Sequence, residues 1–336
     1  MTFVALVSAG LCLCRETSAQ SFSTATAINQ AGQIAGGSTG TGIIFDAYRL
    51  DGGGFQAFGT FGGPASVAFA INDRGDVAGQ SDTPQLDDNG EEYVSVAFLA
   101  DEGGVRNLGP LPGYHHSQAF ALNNRKQVVG WSYNQDPVIP FTTVPNFHAF
   151  LCEDGVMTDL GTLGGATSVA RGINDAGWVV GSSRNASGQT HAFLCRDGMM
   201  ADLGTLGGTF SEALAINGRG EIVGRSRLVN RALRAFRFAG GAMTDLGTLG
   251  GPSSTAFGIN DRGDIVGQAA IASGENHAFL WSNGVMQDLG TLGGGNSRAF
   301  SINNRGEVVG ESETAFGETR AFLIRDGLMS DLGTLP

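Results

Sequence analysis

Aspartates recur at a fixed spacing in this chain, and paired carboxylates are a common basis of acid–base chemistry. The heptapeptide Asp-Leu-Gly-Thr-Leu-Gly-Gly begins at Asp159, Asp202, Asp245 and Asp288, and a shorter copy begins at Asp331. Glycosidic hydrolysis needs two carboxyl groups about 5–9.5 Å apart. One aspartate in each 43-residue copy favours instead a side chain that caps the local backbone.

Three histidines also share one position of the repeat and suggest a zinc site. They are His148, His191 and His277, and other copies carry aspartate, valine or arginine there. Zinc needs three or four ligands within about 2.0–2.3 Å of the ion. Because equivalent positions of separate copies rarely converge so closely, the pattern favours structural or surface histidines, and we predict no metal site here.

A serine that recurs at one position of the repeat resembles a catalytic nucleophile. Ser38 lies in Gly-Gly-Ser-Thr-Gly, which matches the nucleophile elbow of hydrolases, a motif that requires a strand before it and a helix after it. Serine recurs at this position in six copies, so we predict a structural role. Cys152 and Cys195 occupy another shared, apolar position and are predicted to be buried thiols.

Differences between the copies point to a ligand face. Copies two and three each carry eight additional residues between their second and third predicted strands. Copy five carries five arginines in the same predicted connection, namely Arg225, Arg227, Arg231, Arg234 and Arg237. Insertions on one face of a repeat protein commonly build its binding surface. The predicted ligand-binding residues are Asp87, Asp88, Glu91, Glu92, Phe141, Phe147, Arg231 and Arg234. Drift in a tolerant loop is the alternative.

The acidic insert also raises a cofactor question. Asp87, Asp88 and Glu91 offer the carboxylate oxygens that Ca²⁺ prefers, but they lack the spacing of a full calcium loop. We therefore predict no cofactor, with Ca²⁺ at these three residues as the alternative.

Composition limits the classes of partner. The chain has 336 residues, 20 Lys and Arg against 32 Asp and Glu, and a net charge of −12. Nucleic acids and anionic lipid surfaces repel an acidic chain, so non-specific binding to either is disfavoured. No segment after the N-terminus is apolar enough to cross a membrane, so we predict neither a nucleic-acid nor a membrane-spanning protein.

The elements that must position these residues are short strands. Each copy contains four extended segments with period-two patterning, separated by turn signals such as Asn-Asp-Arg-Gly at Asn72 and Asn260. Four strands in about 43 residues are typical of a β-propeller blade. The sequence therefore predicts an all-β, seven-bladed propeller, with an open β-solenoid as the alternative.

The predicted domain division follows from the repeat. Residues 1–19 resemble an export signal, with an irregular N-terminal strand as the alternative, and residues 20–336 form one propeller. The predicted repeats cover residues 22–63, 64–112, 113–165, 166–208, 209–251, 252–294 and 295–336. We expect a secreted or periplasmic protein.

The combination of motifs resembles a known family. His-Ala-Phe at His148, His191 and His277, together with Ile-Asn-Asp-x-Gly, Val-Val-Gly and the heptapeptide, is similar to the HAF repeat of bacterial extracellular proteins. The resemblance covers residues 22–336, and copies one and two depart from it most. The resemblance implies export from the cell, and it implies no particular biochemical activity.

These observations predict a binding or scaffolding module whose ligand lies on the strand 2–3 loops. An extracellular polysaccharide or a protein is the expected partner. One alternative is an extracellular carbohydrate-active hydrolase or lyase, and another is a structural component of the cell envelope. Uniform copies argue against the enzyme, because catalysis needs a constellation that is present once.

Overall fold

A computed structural model describes residues 23–38, 45–52, 54–86, 90, 93–134 and 147–333, and these residues form strands and turns without a helix. The predicted export signal, residues 1–19, lies outside the described residues.

The described residues contain 28 strands, which fall into seven consecutive units of four. Unit 1 is β1 (Ser23–Ile28), β2 (Ile34–Ser38), β3 (Asp46–Asp51) and β4 (Gly54–Ala57). Unit 2 is β5 (Ser66–Ile71), β6 (Val77–Leu86), β7 (Tyr93–Asp101) and β8 (Gly104–Asn107). Unit 3 is β9 (His116–Leu122), β10 (Val128–Tyr133), β11 (Phe147–Glu153) and β12 (Val156–Asp159). Unit 4 is β13 (Gly164–Ile173), β14 (Val179–Asn185), β15 (Thr190–Arg196) and β16 (Met199–Asp202).

The remaining three units repeat this order with nearly constant strand lengths. Unit 5 is β17 (Gly207–Ile216), β18 (Ile222–Leu228), β19 (Leu233–Ala239) and β20 (Ala242–Asp245). Unit 6 is β21 (Gly250–Ile259), β22 (Ile265–Ile271), β23 (Asn276–Ser282) and β24 (Val285–Asp288). Unit 7 is β25 (Gly293–Ile302), β26 (Val308–Thr314), β27 (Thr319–Arg325) and β28 (Leu328–Asp331).

Within each unit the four strands pair antiparallel in chain order. Units 3, 4 and 5 together count as one 12-stranded sheet, since single parallel pairs link Phe147 to Thr167 and Thr190 to Phe210. Antiparallel order places the strand 2–3 and strand 4–1 connections at one end of every unit, which we call the upper face. The strand 1–2 and strand 3–4 turns lie at the other end, the lower face.

The fourth strand of units 3 to 7 ends at the first residue of the heptapeptide. In unit 6, β24 ends at Asp288, and residues 289–292 lie beyond it. The Asp288 carboxylate accepts a hydrogen bond from the backbone N–H of Gly290 at 2.7 Å, and Gly290 has φ +73°. This local cap turns the chain out of the strand, so the heptapeptide is a strand end followed by a loop.

A β-bulge distorts the first strand of every unit. The register between first and second strands shifts by one residue and leaves one first-strand residue unpaired. A glycine of the second strand lies beside the bulge, and a methyl group there would overlap a first-strand carbonyl oxygen. These glycines are Gly36, Gly79, Gly130, Gly181, Gly224, Gly267 and Gly310. The missing side chain at these positions lets the backbones of the two strands approach closely.

The core of six units is built around the phenylalanine of the His-Ala-Phe position. This side chain packs against the second-strand glycine and is fully buried in units 2 to 7, as Phe98, Phe150, Phe193, Phe236, Phe279 and Phe322. Unit 1 has Tyr48 there, whose hydroxyl donates to the Thr24 carbonyl at 3.0 Å. Core packing therefore explains why an aromatic residue recurs at the third position of the His-Ala-Phe motif.

A cycle of asparagine side chains joins the units at the lower face. Each side-chain Nδ2 donates to the backbone carbonyl of the asparagine in the following unit, over 2.9 to 3.2 Å. The members are Asn29, Asn72, Asn123, Asn174, Asn217, Asn260 and Asn303. The link from Asn303 to Asn29 connects the last unit to the first.

Candidate binding site

The recurring histidine and aspartate side chains pair with each other on the outer strands. His148 Nδ1 lies 2.7 Å from Asp159 Oδ2, and the corresponding pairs of units 4 and 6 lie 2.8 Å apart. Asp159 Oδ1 also accepts a hydrogen bond from the Gly161 backbone N–H at 2.7 Å. The predicted capping role of this aspartate is confirmed, and each histidine has a partner within its own unit.

The recurring serine and the two cysteines also belong to the frame. Ser183 Oγ accepts a hydrogen bond from the Leu163 backbone N–H at 2.9 Å, and equivalent contacts recur in other units. Ser38 closes β2 and is buried. Cys152 and Cys195 are buried and carry no disulfide, and burial raises the pKa of both thiols. The structural interpretation of these residues is confirmed.

The predicted ligand residues are only partly described. Asp87, Asp88, Glu91, Glu92 and Phe141 lie outside the described residues, and so does the proposed calcium alternative. The other three residues, Phe147, Arg231 and Arg234, are placed by the structure as follows.

Phe147 begins β11 at the upper face and belongs to an aromatic group. Its ring meets Trp131 edge-on at 5.1 Å, and Trp131 lies 4.8 Å from Tyr133. His116 stacks on Tyr133 at 4.8 Å and accepts a hydrogen bond from the Ser95 backbone N–H at Nδ1. Unit 3 is therefore aromatic where its insert joins the frame.

Arg231 and Arg234 lie at the upper face of unit 5. Arg231 is exposed in the turn between β18 and β19, with φ +68°. Arg234 is the second residue of β19. Its guanidinium donates to the Pro252 carbonyl and lies 3.8 Å from Asp245.

The predicted basic connection is smaller than the sequence suggests. Arg225 lies within β18 and pairs with Glu212 at 2.7 Å, and Arg237 lies towards the lower end of β19 and pairs with Glu221. The prediction was wrong for these two arginines because strands β18 and β19 extend further than expected. Their charges are neutralised inside the unit.

A cavity of about 250 Å³ follows the axis between the units, and the sequence did not predict it. All seven first strands contribute to its wall, mainly through the bulge residue and the residues that follow it. The bulge residues are Thr26, Phe69, Phe120, Arg171, Leu214, Phe257 and Phe300. A bulge re-aims its side chain out of the strand's regular alternation, which explains why these residues reach the axis.

Four of the seven bulge residues in this wall are phenylalanines. Phe69 and Phe120 have ring centroids 5.8 Å apart, and Phe257 and Phe300 have centroids 5.6 Å apart. Both separations fall in the favourable range for tilted aromatic pairs. The two pairs belong to units 2 and 3 and to units 6 and 7, so they form two aromatic walls.

Arg171 is the charged side chain of the cavity wall. Its guanidinium carbon lies 4.3 Å from the Phe120 ring centroid, and its Nε donates to Glu212 at 3.3 Å. Glu212 also accepts two hydrogen bonds from Arg225, at 2.9 and 2.7 Å. Burial opposes ionisation of Glu212, but the two guanidinium groups outweigh it and hold the pKa of this carboxyl below its usual range.

A second ring of polar residues follows the asparagine cycle at the lower end of the cavity. Six backbone N–H groups donate to side-chain oxygens of the next unit over 2.8 to 3.0 Å. The ring consists of Gln30, Asp73, Asn124, Asp175, Gly218, Asp261 and Asn304, and the link from Asp175 is missing because Gly218 has no side chain. Three of the seven members of this ring are carboxylates.

A signal for the cavity residues does exist in the sequence. Each copy contains a five-residue stretch of Ala, a variable residue, a small residue, Ile or Leu, and Asn, as in Ala170 to Asn174. The variable residue, which is the second of the five, is the bulge residue. One varying position within an otherwise uniform stretch indicates a side chain that the frame does not specify.

Two further findings concern the described residues as a whole. No three His, Cys, Asp or Glu side chains in the described ranges are placed so that they could hold a metal ion. The described part of the chain also has no helix with the length and apolar character needed to cross a bilayer.

No family model and no curated protein sequence matches the chain. Solved structures do resemble it. A puromycin-hydrolyzing peptidase of Mycobacterium tuberculosis matches with TM-score 0.62 and 13% identity, over 94% of this chain and 53% of the peptidase. The acylaminoacyl peptidase of Pyrococcus horikoshii matches with TM-score 0.58 and 12% identity, over 93% of this chain and 52% of the peptidase. The chain thus spans about half the length of these two enzymes.

A third structure matches over nearly its whole length. It is the β-propeller domain of the trilobed protease from Pyrococcus furiosus, described as having an open velcro topology. Its TM-score is 0.57 at 11% identity, with 94% of this chain and 98% of the domain covered. Together these likenesses identify the fold of this chain as a β-propeller.

Proposed function

We propose that the chain is a closed, seven-bladed β-propeller that serves as a non-catalytic binding module. Each four-stranded unit is then one blade. The observation that carries the proposal is a contrast between two sets of side chains. Those that hold the blades together are nearly uniform, whereas the bulge position at the axial cavity carries phenylalanine in four blades and Thr26, Arg171 and Leu214 in the other three.

Contacts between units 7 and 1 support closure. Ser23 Oγ donates to the Gly333 carbonyl at 2.7 Å and accepts from the Ala321 backbone N–H at 3.2 Å. Val309 and Ala321 also pack into one apolar cluster with side chains of unit 1. Among the described strands none is exchanged between the two units, since β1–β4 and β25–β28 each form their own sheet.

The chemistry of the cavity supports binding. Small-molecule sites are concave and mostly apolar, with a few polar groups that orient the ligand. Four phenylalanines, one leucine, one threonine and one arginine at the bulge positions meet this description.

Export and the wider ligand face rest on the sequence. The apolar segment in residues 1–19 and the resemblance to HAF repeats support a secreted or periplasmic location. The upper face, with Phe147, Arg231 and the insert that includes Asp87 and Asp88, offers a second surface for an extracellular polysaccharide or a protein.

The enzymatic alternative receives little support from the His–Asp pairs. Each pair lies on the outer strands of a separate unit, and the aspartate of each already caps the Gly of its own loop. A hydrolase or lyase would need a convergent pair in one pocket. The third alternative is a structural component of the cell envelope, and such a protein is expected to bind no ligand in the cavity.

The binding role is tested by filling the cavity. A library of small aromatic and apolar compounds is screened by ligand-observed NMR against the wild type and the variant Leu214→Trp. We expect compounds that bind the wild type to lose binding in this variant, because the indole occupies the cavity.

A matched control is Val285→Trp, which places the same side chain on an exposed site of β24 and is expected to bind like the wild type. Thermal unfolding confirms that both variants are folded. The proposal is wrong if no compound binds the wild type, or if Leu214→Trp binds compounds as well as Val285→Trp does.

A further inference from the structure

We propose that the axial cavity binds a small aromatic carboxylic acid in its ionised form, with the terminal nitrogens of Arg171 holding the carboxylate. This inference rests on the proposed binding role of the cavity and names the ligand class.

The size and lining of the cavity define the body of the ligand. A dry cavity of about 150 Å³ is large enough to bind benzene. The axial cavity has a volume of about 250 Å³, so one substituted ring or two fused rings fit. The Phe69–Phe120 and Phe257–Phe300 pairs offer ring faces and edges to such a body.

Arg171 supplies hydrogen-bond donors that the frame leaves unused. Only its Nε bonds to Glu212, and neither terminal nitrogen has a hydrogen-bond partner among the described residues. The side chain is only 11% exposed, yet it forms part of the cavity wall. Two parallel N–H groups of a guanidinium match the geometry of a carboxylate.

The charge around Arg171 fits a single negative charge. Arg171 and Arg225 share one carboxylate, that of Glu212, so this buried cluster carries a net charge of about +1. A monoanion neutralises the cluster. A phosphate dianion would leave one charge uncompensated in an apolar cavity, which is costly.

The two ends of the cavity orient the ligand. Glu212 lies two residues above the bulge residue Leu214, so the Arg171 guanidinium is directed towards the upper end. Asp73, Asp175 and Asp261 stand at the lower end. The carboxylate therefore faces upwards, and the aromatic body lies among the phenylalanines of the bulge positions.

The experiment compares naphthalene-2-carboxylate with its neutral amide, naphthalene-2-carboxamide, by isothermal titration calorimetry at pH 7. The wild type is expected to bind the carboxylate about tenfold or more tightly than the amide, as a charge-assisted pair requires. In Arg171→Leu the carboxylate loses this advantage, while the affinity for the amide changes less than about twofold.

Arg171→Leu is a conservative change for the frame, because unit 5 already carries Leu214 at the same position and Glu212 keeps Arg225. The control Arg227→Leu removes an equal charge from an exposed site outside the cavity wall and is expected to retain the preference. Thermal unfolding of each variant shows that it is folded.

The outcomes separate the two proposals. If the wild type binds the amide as tightly as the carboxylate, the inference about the ligand class is wrong and the binding role stands. The same holds if Arg171→Leu retains the preference for the carboxylate. If neither probe binds the wild type, both the ligand class and the binding role assigned to the cavity are overturned.

Discussion

The asparagine of each strand 1–2 turn uses both ends of its side-chain amide. In unit 4, Asn174 Oδ1 accepts hydrogen bonds from the backbone N–H groups of Ala176 and Trp178, which fixes the turn. Its Nδ2 donates to the Asn217 carbonyl of the next unit at 3.1 Å. An aspartate would supply the acceptor without the donor, so only an amide of this length serves turn and ring together.

At the same scale, the buried Glu212 makes stability depend on pH. Its pKa is lower in the folded chain than in the unfolded chain, where the usual value is 4.5. The stabilisation from the ionised carboxylate is therefore complete above that value and is lost as the pH falls through the folded-state pKa. We expect Glu212→Gln to lower the free energy of unfolding by about 3 kcal/mol at pH 7, because two guanidinium groups lose their shared counter-charge.

Urea unfolding of both proteins between pH 7 and pH 3 measures this effect, and the difference between them is expected to shrink at the acidic end. Glu318→Gln is the control. Its carboxylate pairs with Arg320 at 2.9 Å but is one-third exposed, so its loss costs about 1 kcal/mol or less. A difference between wild type and Glu212→Gln that stays constant with pH contradicts the assignment.

At the scale of the strand, the bulge and its facing glycine form one device. The bulge lets one residue leave the hydrogen-bond ladder and point to the axis, and the glycine gives the displaced backbone room. In unit 4 these two residues are Arg171 and Gly181. The position of Arg171 in the cavity wall therefore depends on Gly181, which does not itself line the cavity.

Gly181→Ala tests this dependence. The added methyl group would overlap the Val169 carbonyl oxygen, so the strands must separate, and we expect a loss of about 1–3 kcal/mol in the free energy of unfolding. Gly54→Ala is the matched control, since a methyl group there meets nothing within 4 Å, and its expected change is within about 0.5 kcal/mol. Equal stabilities of the two variants, measured by urea unfolding, rule out the proposed role of the glycine.

What the sequence could predict follows from this division between frame and cavity. Turns, strand order and the structural roles of Ser183 and Asp159 are local, and comparison of copies revealed them. The axial position of Arg171 depends on a register shift between two strands. Two-residue alternation does not reveal such a shift, and its only trace in the sequence is one varying position in a repeated stretch. The ends of β18 and β19 also differ from the prediction. The alternating arginines there suggest a loop, but Arg225 and Arg237 lie in strands and pair with glutamates of the same unit.

For the whole molecule, the joint between the last and first units resembles the internal joints. Ser254 Oγ donates to the Gly247 carbonyl and accepts from the Ala235 backbone N–H, as Ser23 does with Gly333 and Ala321. In the proposed closed ring, we therefore expect the joint between units 7 and 1 to contribute about as much stability as an internal joint.

A pair of serine variants measures this equivalence. In a closed propeller, Ser23→Ala and Ser254→Ala each remove two hydrogen bonds at one joint, and each is expected to cost about 1–2 kcal/mol in urea unfolding. Amide hydrogen exchange of β1 and β21 locates the loss at the altered joint. A cost for Ser254→Ala together with none for Ser23→Ala indicates a ring that is open between units 7 and 1.

The bulge has a consequence for how such a protein can change over time. Because the bulge residue already stands outside the ladder, replacing its side chain breaks no strand pairing. Each first strand therefore offers one position, such as Arg171 or Leu214, at which new chemistry can be introduced without rebuilding the protein. If the cavity binds a ligand as proposed, its specificity can change by single substitutions at these seven positions.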